Sequence, residues 1–252
     1  MSESIMWSPE VILVISMVFL LAGFVKGVVG LGLPTVSLGL LTAVFGLKMA
    51  IALILVPSFV TNLVQAVMGG AFKQIMERIW ILLLMACIAI WFSSSFLVVA
   101  DTAILSAVLG LSLCIYSGFS LTCSKIPPPV DKEYWLSPLV GAINGGLTGV
   151  TGSFVFPGVL YLQALGFPRD TFIQAMGVLF TVSTVALAGS MFGRGILSVN
   201  LGMLSCVGLI PSFAGMYLGV RVRQRLSEQR FRQIFFISIG FLGTYIILRS
   251  VA

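Results

Sequence analysis

The chain has 252 residues, 59% of them hydrophobic and only 9% charged, with a mean hydropathy of +1.14. So few polar side chains cannot cover the core of a water-soluble domain, and the composition describes an all-α polytopic membrane protein whose first partner is the lipid bilayer. The net charge of +6 does not point to nucleic acid, because the basic residues fall in loops that flank apolar runs, where membrane topology accounts for them.

The segment before the first apolar run holds Glu3 and Glu10 and no lysine or arginine, which is not the basic start of a cleaved signal peptide. Eight apolar segments follow: Val11 to Phe45 (broken), Met49 to Gly70, Ile79 to Ala100, Thr102 to Cys123, Leu136 to Gly166 (broken), Phe172 to Gly193, Val199 to Val220 and Phe231 to Leu248. The plain segments are long enough to cross a bilayer core of about 30 Å. The one substantial polar loop, Ser124 to Tyr134, carries Pro127-Pro128-Pro129 and divides the chain almost in half. This predicts a single membrane domain over 1–252, with repeat 1 at 11–123, a cytoplasmic linker at 124–135 and repeat 2 at 136–250. Cys87, Cys114, Cys123 and Cys206 all lie in apolar runs, with no CxxC pair and no histidine in the chain; no metal and no cofactor is expected.

Each half opens on a glycine-rich break. The first reads Gly23-Phe-Val-Lys26-Gly27-Val-Val-Gly30-Leu-Gly32-Leu-Pro34, the second Gly141-Ala-Ile-Asn144-Gly145-Gly146-Leu-Thr148-Gly149-Val-Thr151-Gly152, with Pro157 close behind. Gly23, Lys26 and Gly27 fall on Gly141, Asn144 and Gly145 at one fixed offset, and Ala50 to Ser58 aligns without gaps on Ala175 to Ser183. Paired Gly/Pro-interrupted apolar segments in two halves point to a transporter's substrate site.

Val11 to Val25 is 15 residues, roughly 22 Å of helix at about 1.5 Å per residue, short for a crossing. Charge favours a re-entrant hairpin. If each broken segment returns to its starting side, one side holds only Lys48, Arg194 and Arg249, and the other holds Lys73, Arg78, Lys125, Lys132, Arg169 and the five arginines from Arg221 to Arg232. Single crossings would leave no such bias. Positive residues favour the cytoplasm, so the hairpin reading predicts two inverted repeats, each a broken helical hairpin plus three transmembrane helices. Both termini would face outside in an inner (plasma) membrane, and the tips would meet near the midplane.

On these residues the chain resembles the sulfite exporter TauE/SafE family. Its glycine-rich signature is matched by GAINGGLTGVTGSFVFPGVL in the second half and by the shorter GFVKGVVGLGLPTVSL in the first, together with Pro57, Asn62 and Gln65 and the run Gln174-Ala-Met-Gly177. The resemblance covers most of the chain outside the first ten residues and the triple-proline loop. It implies a transporter, often an exporter, of a small sulfur oxyanion or organosulfonate.

Lys26 is the strongest single candidate for binding such an anion, since a charge at membrane depth usually faces a cavity; the bland alternative is a lysine that snorkels to the interface. Gly27, Gly30, Gly32, Gly145, Gly149 and Gly152 would let backbone N–H groups approach the ligand. Asn62 and Gln65 share one helix face, and Asn144, Thr148, Thr151, Ser153 and Gln174 would add hydrogen bonds without charge. For each of these polar residues taken alone, an interhelical hydrogen bond is the plainer role. The expected partner is thus a small anion, and self-association stays open. An anion channel with the same basic tip is the alternative; an enzyme is disfavoured by the lack of histidine or of any nucleophile–base pair, and a non-transporting assembly factor by the lack of a soluble cargo domain.

Overall fold

The computed structural model describes residues 7–122, 127–129, 132–223 and 228–251, with the side chains of Glu228 and Gln229 left aside. Glu3, Cys123, Lys125 and Arg225, which entered the arguments above, lie outside the described residues. Among those residues all regular structure is helical: α1 (Pro9–Val29), α2 (Leu33–Phe45), α3 (Leu47–Val67), α4 (Phe72–Ser93), α5 (Phe96–Val99), α6 (Thr102–Thr122), α7 (Glu133–Thr151), α8 (Gly158–Ala164), α9 (Arg169–Gly193), α10 (Val199–Cys206), α11 (Leu209–Arg223) and α12 (Glu228–Val251). Seven stretches are long and apolar enough to cross a bilayer: α1, α3, α4 with α5, α6, α9, α10 with α11, and most of α12.

The first helix corrects the sequence reading. It does not stop at Val25 but runs for 21 residues to Val29, about 31 Å at 1.5 Å per residue, so it is not too short to span. Ser8 caps its start by accepting the Val11 N–H, with Pro9 and Glu10 in the first turn. It stops where Gly30 takes a left-handed conformation (φ 86°) and donates its N–H to the Lys26 carbonyl at 2.8 Å. Lys26 therefore sits inside the helix, one turn before its end, and the break is Gly30 to Gly32. A second correction concerns Val199 to Val220, expected as one helix; it is two, α10 and α11, with Pro211 in the first turn of α11, where a missing N–H costs no helical bond.

Glycines on α1 and α7 set the tightest packing. A Cβ on Gly23 or Gly27 would overlap the backbone of Ser212 or Met216 on α11, and one on Gly141 or Gly145 would overlap that of Leu82 or Ala86 on α4. The helices touch backbone to backbone, the close approach that small residues permit inside membranes. In both pairs the contacts advance together along the two helices, so α1 runs parallel to α11 and α7 parallel to α4. Two other pairs are antiparallel. On α3 and α9, Gln65 meets Ile173 and Ala66 meets Gln174 and Gly177, while Val56 and Phe59 line one groove with Val185 and Gly189. On α6 and α12, Ser117 donates to the Phe236 carbonyl at 2.6 Å and Gly110 lies against Gly243.

Pro57 lies inside α3 without ending it. Having no N–H, it leaves the Leu53 carbonyl without its helical partner. Ser205 of α10 supplies the missing donor, its Oγ 2.7 Å from the Leu53 oxygen, while accepting from the Val56 N–H at 3.1 Å.

Candidate functional site

Lys26 is only 4% exposed. It does not snorkel. Its Nζ turns inward to α3 and donates to Asn62 Oδ1 at 2.5 Å and to Thr61 Oγ1 at 3.3 Å. Thr61 is held in place because its hydroxyl donates to the Pro57 carbonyl at 2.8 Å. Asn62 is completely buried, and its Nδ2 has no protein partner among the described residues. Two ion pairs among those residues, Lys73 with Glu77 and Arg78 with Glu133, lie elsewhere. Among the described residues the buried Lys26 amino group is thus met by neutral oxygens alone, and an amide donor beside it has its hydrogens unspent. A buried cation without a carboxylate is costly, and an anion is the partner that would offset both deficits.

The second hairpin is built differently. Asn144 Oδ1 accepts the Gly158 N–H at 3.0 Å, tying α7 to the start of α8, while its Nδ2 is buried without a partner among the described residues. Thr148 donates to the Ser153 carbonyl at 2.9 Å, Thr151 donates to the Leu147 carbonyl at 2.6 Å, and the Ser153 N–H reaches Thr151 Oγ1 at 3.2 Å. Gly152, at φ 73°, makes the turn. These residues shape their own loop.

Gln65 and Gln174 lock α3 to α9. Gln65 Nε2 donates to the Ile173 carbonyl at 2.6 Å, Gln174 Nε2 donates to the Ala66 carbonyl at 2.8 Å, and Gln174 Oε1 accepts the Ala71 N–H at 3.0 Å. Gly27, Gly145 and Gly149 face the backbones of α11 and α4, and Gly30 and Gly32 form the first turn. Of the polar residues picked from the sequence, the fold brings Lys26 and Asn62 together and gives the others local or interhelical bonds.

The expectation that the two tips meet near the midplane is overturned. Ile173, at the start of α9, lies 3.5 Å from where a Cβ on Gly30 would be, and Ile51, near the start of α3, lies 2.7 Å from one on Gly152. Because α3 and α9 are antiparallel, these are opposite ends of the pair. Each helix reaches its terminal glycine within a turn or two of the neighbouring helix end, which leaves no central meeting point.

Three features had escaped the sequence reading. Thr61 carried one signal, its place next to Asn62. Beside the first tip, Val29, Leu31, Gln163, Arg169, Ile173 and Arg232 help line a cavity of about 230 Å³, with no acidic residue among the described residues of its lining. At the other end Arg194 joins α4 to α9, donating to Ser94 and Ser190 at 3.2 and 3.3 Å and to the Trp91 carbonyl at 2.5 Å. Nothing local in the sequence marks the last two, because their partners come from distant helices.

Comparison with known proteins gives a family match. The family described as sulfite exporter TauE/SafE matches residues 15–246. A relative from Methanocaldococcus jannaschii, named "Probable membrane transporter protein MJ0441", is 24% identical over 217 residues, covering 81% of this chain and 80% of that protein. No solved structure matches the chain.

Proposed function

The chain belongs to the sulfite exporter TauE/SafE family of membrane transporters, and from that premise we propose that it carries a small sulfur oxyanion or organosulfonate outward across the plasma membrane, with Lys26 as the charged anchor of its substrate site. The observation that carries this reading is the Lys26–Asn62 pair: a buried ammonium bonded to neutral oxygens alone, beside an unspent amide donor. An oxyanion can accept from Lys26 Nζ and Asn62 Nδ2 at once, and charge-assisted hydrogen bonds are among the stronger polar contacts a protein makes.

The packing directions support an inverted repeat. With α3 antiparallel to α9, α6 to α12, α1 parallel to α11 and α7 parallel to α4, each broken segment starts and ends at one end of the bundle, and the two segments start at opposite ends. That places Lys73, Arg78, Lys132, Arg169, Arg221, Arg223, Arg230 and Arg232 at one end and Lys48, Arg194 and Arg249 at the other, which fits the first end to the cytoplasm and the termini to the outside. The halves 11–123 and 136–250, joined by a cytoplasmic linker at 124–135, would then rock against one another in alternating access. The basic cavity at Arg169 and Arg232 would open the Lys26 site to the cytoplasm. An inside-negative potential drives an anion outward by about 2.3 kcal/mol per charge per 100 mV, so export needs no coupling ion.

The test is flux in liposomes holding purified protein, across sulfite, thiosulfate, sulfate, sulfoacetate, taurine and simple carboxylates. Saturable movement of a sulfur oxyanion or sulfonate, absent from empty liposomes, is the expected result. Uniform inactivity of folded protein would end the reading, and flux far above transporter rates would make it a channel.

A further inference from the structure

Hydroxyls inside these helices fall into two sets. Thr61, Thr181, Thr184 and Ser212 each turn back to the carbonyl four residues earlier, at 2.6 to 2.8 Å. Ser58 on α3 and Ser183 on α9 do not, nor do Thr35 and Thr42 on α2, Ser120 on α6 and Ser137 on α7; of these, Ser58 and Ser183 are the two on the α3–α9 pair. Both are fully buried, and neither Oγ has a partner among the described residues. The two are also equivalent by repeat, since Ala50 to Ser58 aligns without gaps on Ala175 to Ser183.

Their placement is shared as well. The antiparallel register that sets Ala66 against Gly177 brings Ser58 and Ser183 to the same level. At 3.6 residues per turn both fall on one flank of the α3–α9 pair, away from the apolar groove lined by Val56, Phe59, Val185 and Gly189. Thr61 and Asn62, which hold Lys26, fall on that same flank, three and four residues further along α3 than Ser58. A buried hydroxyl without a partner destabilises a fold, and alanine would occupy almost the same space. Two such hydroxyls, one from each half, at one depth and on the side that carries Lys26, make a matched pair of neutral donors.

We propose that Ser58 and Ser183 form a second, uncharged station on the transport path, each donating a hydrogen bond to an oxygen of a small oxyanion passed on from Lys26. This deepens the anion-transport reading and rests on it. Neutral donors suit the step after the cation, since a path must hold its ion loosely enough to release it. Two hydroxyls meeting the ligand from different helices favour an anion with several oxygens over a halide.

Ser58→Ala, Ser183→Ala and the double variant would be compared with the parent in liposomes. The probe is whichever of sulfite, thiosulfate, sulfate and sulfoacetate the parent moves best. Each single variant should raise KM roughly threefold to tenfold, and the double more, the effect of losing one neutral hydrogen bond each. The ligand-free melting temperature should stay the same or rise, because an unpartnered hydroxyl has been removed; a structural role would lower it and leave KM alone. A double variant with the parent's KM overturns the proposal, and if Lys26→Met is impaired in the same assay, the anion-transport reading stands without it. If the parent moves no anion, both fall together. Should the alanine variants fail to fold, cysteine at 58 or 183 on a cysteine-free background offers a second measurement. The same anion should slow its modification by a methanethiosulfonate reagent several-fold, and an unchanged rate overturns the proposal.

Discussion

The two glycine-rich hairpins share their packing and differ in their chemistry. Gly23 and Gly27 press α1 onto α11 as Gly141 and Gly145 press α7 onto α4, at positions that align between the two glycine-rich segments. Yet the residue between the glycines is Lys26 in one and Asn144 in the other. Lys26 reaches across to another helix, bonding Thr61 and Asn62 on α3, while Asn144 bonds the Gly158 N–H of its own hairpin. The glycines serve helix contact, which both halves need. The side chain between them is free to diverge, and one copy bonds a neighbouring helix while the other braces a loop. A duplicated motif therefore need not mean duplicated side-chain chemistry.

The shared half of the comparison can be broken at the glycines. Gly27→Val and Gly145→Val drive a side chain into the backbone of α11 or α4, an overpacking cost at or above about 3 kcal/mol. Both should abolish the monodisperse peak in size-exclusion chromatography. Gly146→Ala, where a Cβ meets nothing within 4 Å, should behave as the parent does. If Gly27→Val folds normally, the backbone contact is not what holds α1 to α11.

The divergent half is tested by paired substitutions. Lys26→Met keeps length and removes charge, and a buried charge-assisted hydrogen bond is worth about 1.5–3 kcal/mol, so anion affinity should fall roughly tenfold to a hundredfold. Lys26→Arg keeps charge but misplaces it, with an intermediate loss. Asn144→Leu strands the Gly158 N–H and should lower the melting temperature, by the equivalent of about 1–3 kcal/mol, with a smaller change in affinity. Equal affinity losses from Lys26→Met and Asn144→Leu, without a stability difference, would erase the distinction.

Two smaller effects sharpen the picture of what holds the hairpins in place. Ser205→Ala leaves the Leu53 carbonyl next to Pro57 without its donor, and should cost about 1 kcal/mol in thermal unfolding. Glu133, at the start of the second hairpin, is held below the usual carboxylate range chiefly by its hydrogen bonds from Arg78 at 3.0 and 2.5 Å. A folded-state pKa below the unfolded one means that the stabilisation is present above the ordinary carboxylate value and is lost as the pH falls through the lowered one. Both side chains are more than a third exposed, so solvent screening keeps the pair under about 1 kcal/mol. Glu133→Gln should flatten that acid limb of a melting curve by this small amount and leave transport at neutral pH unchanged.

Composition and periodic apolar runs determined by themselves that this is a multi-pass helical membrane protein, because twenty uncharged apolar residues have few other places to go. The paired glycine breaks, with Lys26 and Asn62, were equally legible, since glycine, proline and a lone charge are conspicuous against such a background. Where the first break falls was not. The sequence suggested a stop at Val25, but Lys26 and Gly27 stay helical because α11 packs against them and α3 supplies partners for the ammonium, and both arrive from elsewhere in the chain. The same holds for the repair of Pro57 by Ser205, the α3–α9 locks made by Gln65 and Gln174, and the separation of the two tips to opposite ends of that pair. A side chain's type is local, but its hydrogen-bond partner in a membrane core is whatever helix lies alongside, and only the tertiary structure decides which one that is.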